Sequence, residues 1–141
     1  MEKDLELLNK IYTKTETSSK RLNCILSETK NSNLRKAIIS QINEFDKINS
    51  DAKSEISNLG HKPKSTLLES VGVKIEAKIN MSINPSDSHI AEIIIKSANS
   101  DVVDIMKSIN TNQNSSPNCY SLGRKLIKKQ EENIETFKSF L

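Results

Sequence analysis

Apolar residues return at alternating three- and four-residue intervals along most of the chain, and the interval breaks at residues that end helices. Leu5, Leu8, Tyr12, Leu22 and Leu26 form a first stripe, continued through Thr15 and Ser19, which predicts a helix over about residues 3–30. Asn31, Ser32 and Asn33 make a short polar break. A second stripe, Leu34, Ile38, Ile42, Phe45, Ala52, Ile56 and Leu59, predicts a helix over 33–59 that stops at Gly60, a residue suited to the C-cap, with Pro63 just beyond. Two helices of similar length with so short a join must fold back on each other.

A third stripe, Ile90, Ile94, Ala98, Val102, Ile105 and Ile109, predicts a helix over 85–110. Asn84 is placed to cap it, Pro85 suits the first helical position, and Asp87 meets the positive end of the helix dipole. Residues 111–116 read as a loop, and Pro117 opens a fourth helix over 117–140 carrying Leu122, Leu126, Ile127, Ile134, Phe137 and Leu141. Between the two hairpins lies a connection far longer than a helix–helix turn. Its sequence predicts a short amphipathic helix over 66–80, with Leu67, Leu68, Val71, Ile75 and Ile79 at helical spacing and Thr66 and Glu69 as an expected capping box. Each long helix is about 40 Å tall at 1.5 Å per residue, and the connector can span that height. The expected fold is all-α: one domain, an antiparallel four-helix bundle of two hairpins joined by a long crossover. Ile11, Ile25, Ile39, Ile93, Ile95, Val103 and Met106 lie off the main stripes, and some of them must widen the core or form an exposed apolar patch.

Composition agrees with this reading. Three glycines and three prolines in 141 residues leave too few turns for a barrel or sandwich. A net charge of +3, drawn from 21 basic and 18 acidic residues spread along the chain, gives no footprint for nucleic acid or an anionic membrane. The opening MEKDLELLNK has no basic region followed by an apolar run, and no window approaches a membrane span, so the expected location is the cytoplasm. Cys24 and Cys119 are expected as free thiols. Cys24, beside Ile25 and Leu26, reads as a structural thiol and not a nucleophile. With a long crossover the two cysteines fall at opposite ends of the bundle.

The segments LLNKIYTKT, NLRKAII, SNLGHKP and KKQEENIETF, with the amphipathic crossover, resemble a family of bacterial ferritin-like four-helix bundles of unknown function, related to rubrerythrin and ferritin. The resemblance covers most of the chain and implies a ferritin-like fold and a stress or sporulation setting. Di-iron sites on that fold take Glu from two helices and Glu-x-x-His from the other two. This chain has no Glu-x-x-His, and its two histidines, His61 and His89, sit at helix ends.

In place of ligands, Thr15, Ser19, Asn49, Ser97 and Gln130, with Asn133, predict a polar layer of hydroxyls and amides that fixes helix register. Glu44 and Lys47 read as a surface ion pair. Asp101 and Asp104, and Glu132 and Glu135 beside Glu131, fall at the border of the stripes or outside and read as solvated faces. Glu44, Asp101 and Glu132 are the candidate ligands should a metal be found. The expectation is a bundle without cofactor and without catalysis, serving as a structural or protein-interaction module, as a homodimer or with another protein. The alternative is a metal-binding ferritin-like protein or oxidase that uses carboxylates alone.

Overall fold

The computed structural model describes residues 2–64, 72 and 86–141. Four helices pack together, α1 Glu2–Glu28, α2 Ser32–Asn58, α3 Asp87–Thr111 and α4 Pro117–Lys138, with no strand among the described residues. The amphipathic segment expected over 66–80, and Asn84 and Pro85, lie outside them.

Local chemistry sets the helix ends. The Asn31 side chain accepts from the Leu34 N–H at 3.0 Å and starts α2. Carbonyls at the end of α1 and just past it are met from the next helix, where Arg35 Nη1 donates to Leu26 O at 2.7 Å and Thr29 O at 2.9 Å. Gly60 closes α2 at φ 80° in a Schellman turn, with His61 N donating to Ile56 O and Gly60 N to Ser57 O. Helix α3 starts at Asp87, and its cap is Ser86 instead of the expected Asn84, because the Ser86 hydroxyl reaches the His89 N–H at 3.2 Å. Pro117 opens α4 as expected, and the preceding Ser116 N–H is held by the Asp4 carboxylate of α1 at 2.7 Å.

Helix α1 packs chiefly on α2, and α3 chiefly on α4, and the pairs meet through α1–α3 and α2–α4. Between α1 and α2, contacts fall on one helix as they rise on the other: Tyr12 with Asn49, Ser19 with Asp46, Leu26 with Arg35. The same holds between α1 and α3, through Lys14 with Asp104 and Ser18 with Asp101.

The buried face of α1 is centred one residue earlier than the expected stripe. Leu7, Leu8, Ile11, Leu22 and Ile25 are its core positions, while Leu5, Tyr12 and Leu26 are half-buried at the rim. The cause is neighbours on more than one side, since α1 touches all three other helices. Ile11 and Ile25 thus widen the core, Ile93 and Ile95 pack partly against it, and Ile39, Val103 and Met106 are exposed. Leu141, expected on the α4 stripe, is exposed beyond the helix end.

Candidate functional site

Each helix sends one polar residue from its buried stripe to the bundle centre. On α1 it is Ser18, between Thr15 and Leu22; on α2 Gln41, between Ile38 and Phe45; on α3 Asp101, between Ala98 and Ile105; on α4 Gln130, beyond Leu126. Because the four stripes face one axis, these residues meet. Ser18 Oγ donates to Asp101 Oδ2 at 2.8 Å, Gln130 Nε2 donates to the same oxygen at 3.0 Å, and Gln41 Nε2 donates to Gln130 Oε1 at 3.2 Å. An ionised carboxylate only accepts, so Gln130 must turn its nitrogen to Asp101 and its oxygen to Gln41. Asp101 therefore orients both amides.

The charge at the centre is balanced from α1. Lys14 Nζ stands 3.7 Å from Asp101 Oδ1 and donates to Asp104 Oδ2 nearer the surface. Burial pushes the Asp101 carboxyl above its ordinary value; the Ser18 hydrogen bond and the charges of Lys14 and Arg21 oppose the rise, and Asp104 adds to it. The Lys14 hydrogen bond holds Asp104 below its ordinary value. Beside Asp101 lies a small, partly open cavity of ≈ 10 Å³, bordered by Arg21, Gln41, Ser97 and Gln130 among others.

The expected single polar layer is thus two structures. Thr15 and Asn49 belong to the α1–α2 seam, where Asn49 Nδ2 donates to Tyr12 O at 3.0 Å and Thr15 Oγ1 at 3.1 Å. Ser19 belongs there as well, donating to Asp46 at 2.7 Å. Gln130 is in the central group, and Ser97 lines its cavity.

Two expectations about carboxylates are corrected. Asp101 is not on a solvated face: it is 6% exposed, and its burial is tolerated because two donors and a lysine meet it. Glu44 is not placed against Lys47 but faces α4, with its oxygens 3.8 Å from Lys129 Nζ and 3.5 Å from Asn133 Nδ2. Glu132 is at the surface, 3.6 Å from Lys129. Ser18, Gln41 and Arg21 escaped sequence reasoning. Continuing the three-four spacing from Ile11 and Thr15 lands on Ser18, and from Leu34 and Ile38 on Gln41; the expected stripe had stepped to Ser19 and Ile42 instead.

The donor set can be compared with a carboxylate di-metal centre, which takes one ligand from each of two helices and an i, i+3 pair from each of the others. The corresponding positions hold Ser18 on α1, Asp101 on α3, Gln41 with Glu44 on α2, and Gln130 with Asn133 on α4. Three of these are neutral amides and one a hydroxyl, there is no imidazole, and Lys14 already neutralises the buried carboxylate. These residues do not fit a di-iron pair. Among the described residues no group of three or more His, Cys, Asp or Glu could hold a metal ion. His61 is exposed past the end of α2, and His89 lies in the first turn of α3, 3.7 Å from Glu92. Neither Cys24 nor Cys119 is in a disulfide; Cys119 is buried and Cys24 half-buried.

Among the described residues no helix is long and apolar enough to cross a membrane. No family model, curated protein or solved structure matches the chain.

Proposed function

We propose that this chain is a ferritin-like bundle in which a hydrogen-bonded polar centre replaces the metal site, and that it works in the cytoplasm as a non-catalytic structural or protein-interaction module. The observation that carries this reading is the replacement at mid-bundle: Asp101 is met by Ser18, Gln130 and Lys14, where a metal pair would need further carboxylates and imidazoles. Such a centre offers neither redox chemistry nor an activated nucleophile. It offers register, because a buried hydrogen-bonded group disfavours every helix pairing in which its partners are missing.

Helix direction supports the ferritin-like connection. If α1 runs up, its contacts with α2 and α3 make both run down, and the Asp4–Ser116 bond at the base of α1 makes α4 run up. Two consecutive helices running the same way need a connection of the bundle's full height. It begins across α1, where Lys64 N donates to Asn9 Oδ1 at 3.3 Å. Protein association is supported by α3, where Val103 is 52% and Met106 36% exposed, with half-buried Ile95 and Val102 close by on the same helix. A homodimer is its simplest form.

The reading is tested by metal content, measured by mass spectrometry on untagged protein before and after anaerobic ferrous iron, together with sedimentation equilibrium. Sub-stoichiometric metal and a dimer are expected. Two irons per chain would overturn the non-catalytic reading and restore the carboxylate-only oxidase, and a strict monomer at high concentration would remove the dimer.

A further inference from the structure

Two buried polar atoms near the centre lack a protein partner, Gln41 Oε1 and Arg21 Nε. Gln41 is 2% exposed, and both side chains border the ≈ 10 Å³ cavity. The orientation of Gln41 is not free. Its nitrogen is committed to Gln130 Oε1, because the Gln130 nitrogen is committed to Asp101, so the Gln41 oxygen is the end left for the cavity. A buried carbonyl oxygen and a buried guanidinium N–H that share a small cavity require a molecule that donates to one and accepts from the other.

We propose that this cavity is a binding site for one structural water, which accepts from Arg21 Nε–H, donates to Gln41 Oε1 and closes a hydrogen-bond ring through all four helices. The volume is that of a single water centre and matches one water. The charges around it disfavour an ion: Asp101 and Asp104 are already balanced by Lys14 and Arg21, so an added cation or anion would leave its own charge uncompensated beside the buried centre. Ser97, which also lines the cavity, offers a third partner, within the two to four that buried waters make. The ring then runs from Ser18 on α1 to Asp101 on α3, Gln130 on α4, Gln41 on α2, the water, and back to Arg21, one helical turn beyond Ser18. Direct bonds join α1, α3, α4 and α2 in an open chain; the water makes it a circuit. The site stands whether or not the bundle has a protein partner.

The experiment is water-selective nuclear Overhauser and rotating-frame spectroscopy on the full-length 15N-labelled chain, observing the Arg21 Nε–H and the Gln41 and Gln130 side-chain amides. A dipolar cross-peak of opposite sign in the two spectra, at Arg21 Nε–H, is expected, with oxygen-17 relaxation dispersion reporting a long-lived water. In Gln41→Met, which keeps the side-chain length and removes the acceptor, the cross-peak and one water's share of the dispersion should be lost. If that variant does not fold, the wild-type spectrum decides alone. No dipolar contact between Arg21 and water, or a through-hydrogen-bond coupling from Arg21 Nε directly to the Gln41 carbonyl, overturns the proposal.

Discussion

The amide of Gln130 donates to the buried carboxylate of Asp101 across the α3–α4 interface at 3.0 Å, and its other end accepts from Gln41 on α2. One side chain therefore transmits the demand of a buried charge from α3 to α2. The centre of this bundle is held by direction as much as by number of hydrogen bonds, since reversing either amide would set oxygen against oxygen.

Removing the carboxylate strands its donors. Asp101→Ala is expected to cost about 1–3 kcal/mol for each buried donor left without an acceptor, Gln130 Nε2 first among them. A double-mutant cycle of Asp101→Ala with Gln130→Leu, followed by urea unfolding, should show a coupling on the order of 0.5–3 kcal/mol. Strict additivity would mean that the two residues are neighbours without being partners.

The pH dependence of stability has a definite sign. Burial raises the Asp101 pKa in the folded state, so the folded chain binds this proton more tightly than the unfolded chain. That contribution is fully present below the unfolded carboxylate value, about 3.9, and is lost as pH rises through the raised folded value. Asp104, held low by Lys14, contributes in the opposite sense, with stability present above its unfolded value and lost as pH falls through its lowered folded value. Urea midpoints of wild type and Asp101→Asn across pH 3–8 check this. Relative to the variant, wild type should lose stability as pH rises; parallel curves would show that Asp101 titrates alike in both states.

Most of the architecture was legible because it rests on periodicity. The four long helices, the turn at Gly60 and the Pro117 start follow from spacing, an αL-tolerant residue and an N–H-free first position, each a local property. The centre was only half legible. Gln130 and Ser97 were found there, whereas Thr15, Ser19 and Asn49 proved to belong to the α1–α2 seam. Ser18 and Gln41 were missed, and Asp101 was set on a solvated face, because a polar residue on an apolar stripe looks like the edge of that stripe. Only the packing of four helices on one axis shows that each gap faces another gap. The broader buried face of α1, which touches all three neighbours, likewise has no signature in its own sequence.

Gly60 offers a test of the α2 terminus that packing cannot confuse. Its φ is 80°, and a Cβ built there would meet nothing within 4 Å. Gly60→Ala is therefore expected to destabilise by about 1 kcal/mol through the left-handed backbone alone. Thermal unfolding should show a small fall in midpoint with an unchanged far-ultraviolet spectrum. An unchanged midpoint would mean that the Schellman turn opens without cost.

The cysteines test helix direction independently of any central residue. Cys119 sits at the start of α4 beside Asp4 of α1, while Cys24 is near the far end of α1. The stretch from Asp4 to Cys24 is about 30 Å of helix at 1.5 Å per residue, far beyond the roughly 7 Å between Cα atoms that a disulfide tolerates. Mild oxidation of the monomer followed by non-reducing peptide mapping should therefore give no Cys24–Cys119 bond. In an up-down-up-down bundle the same two residues would share an end and join readily. Reactivity should also divide them: Cys119 is buried and burial pushes its thiol up, so a thiol reagent should label half-buried Cys24 first. Rapid formation of the internal disulfide would overturn the arrangement in which α1 and α4 run the same way, and with it the need for a connection that climbs the bundle.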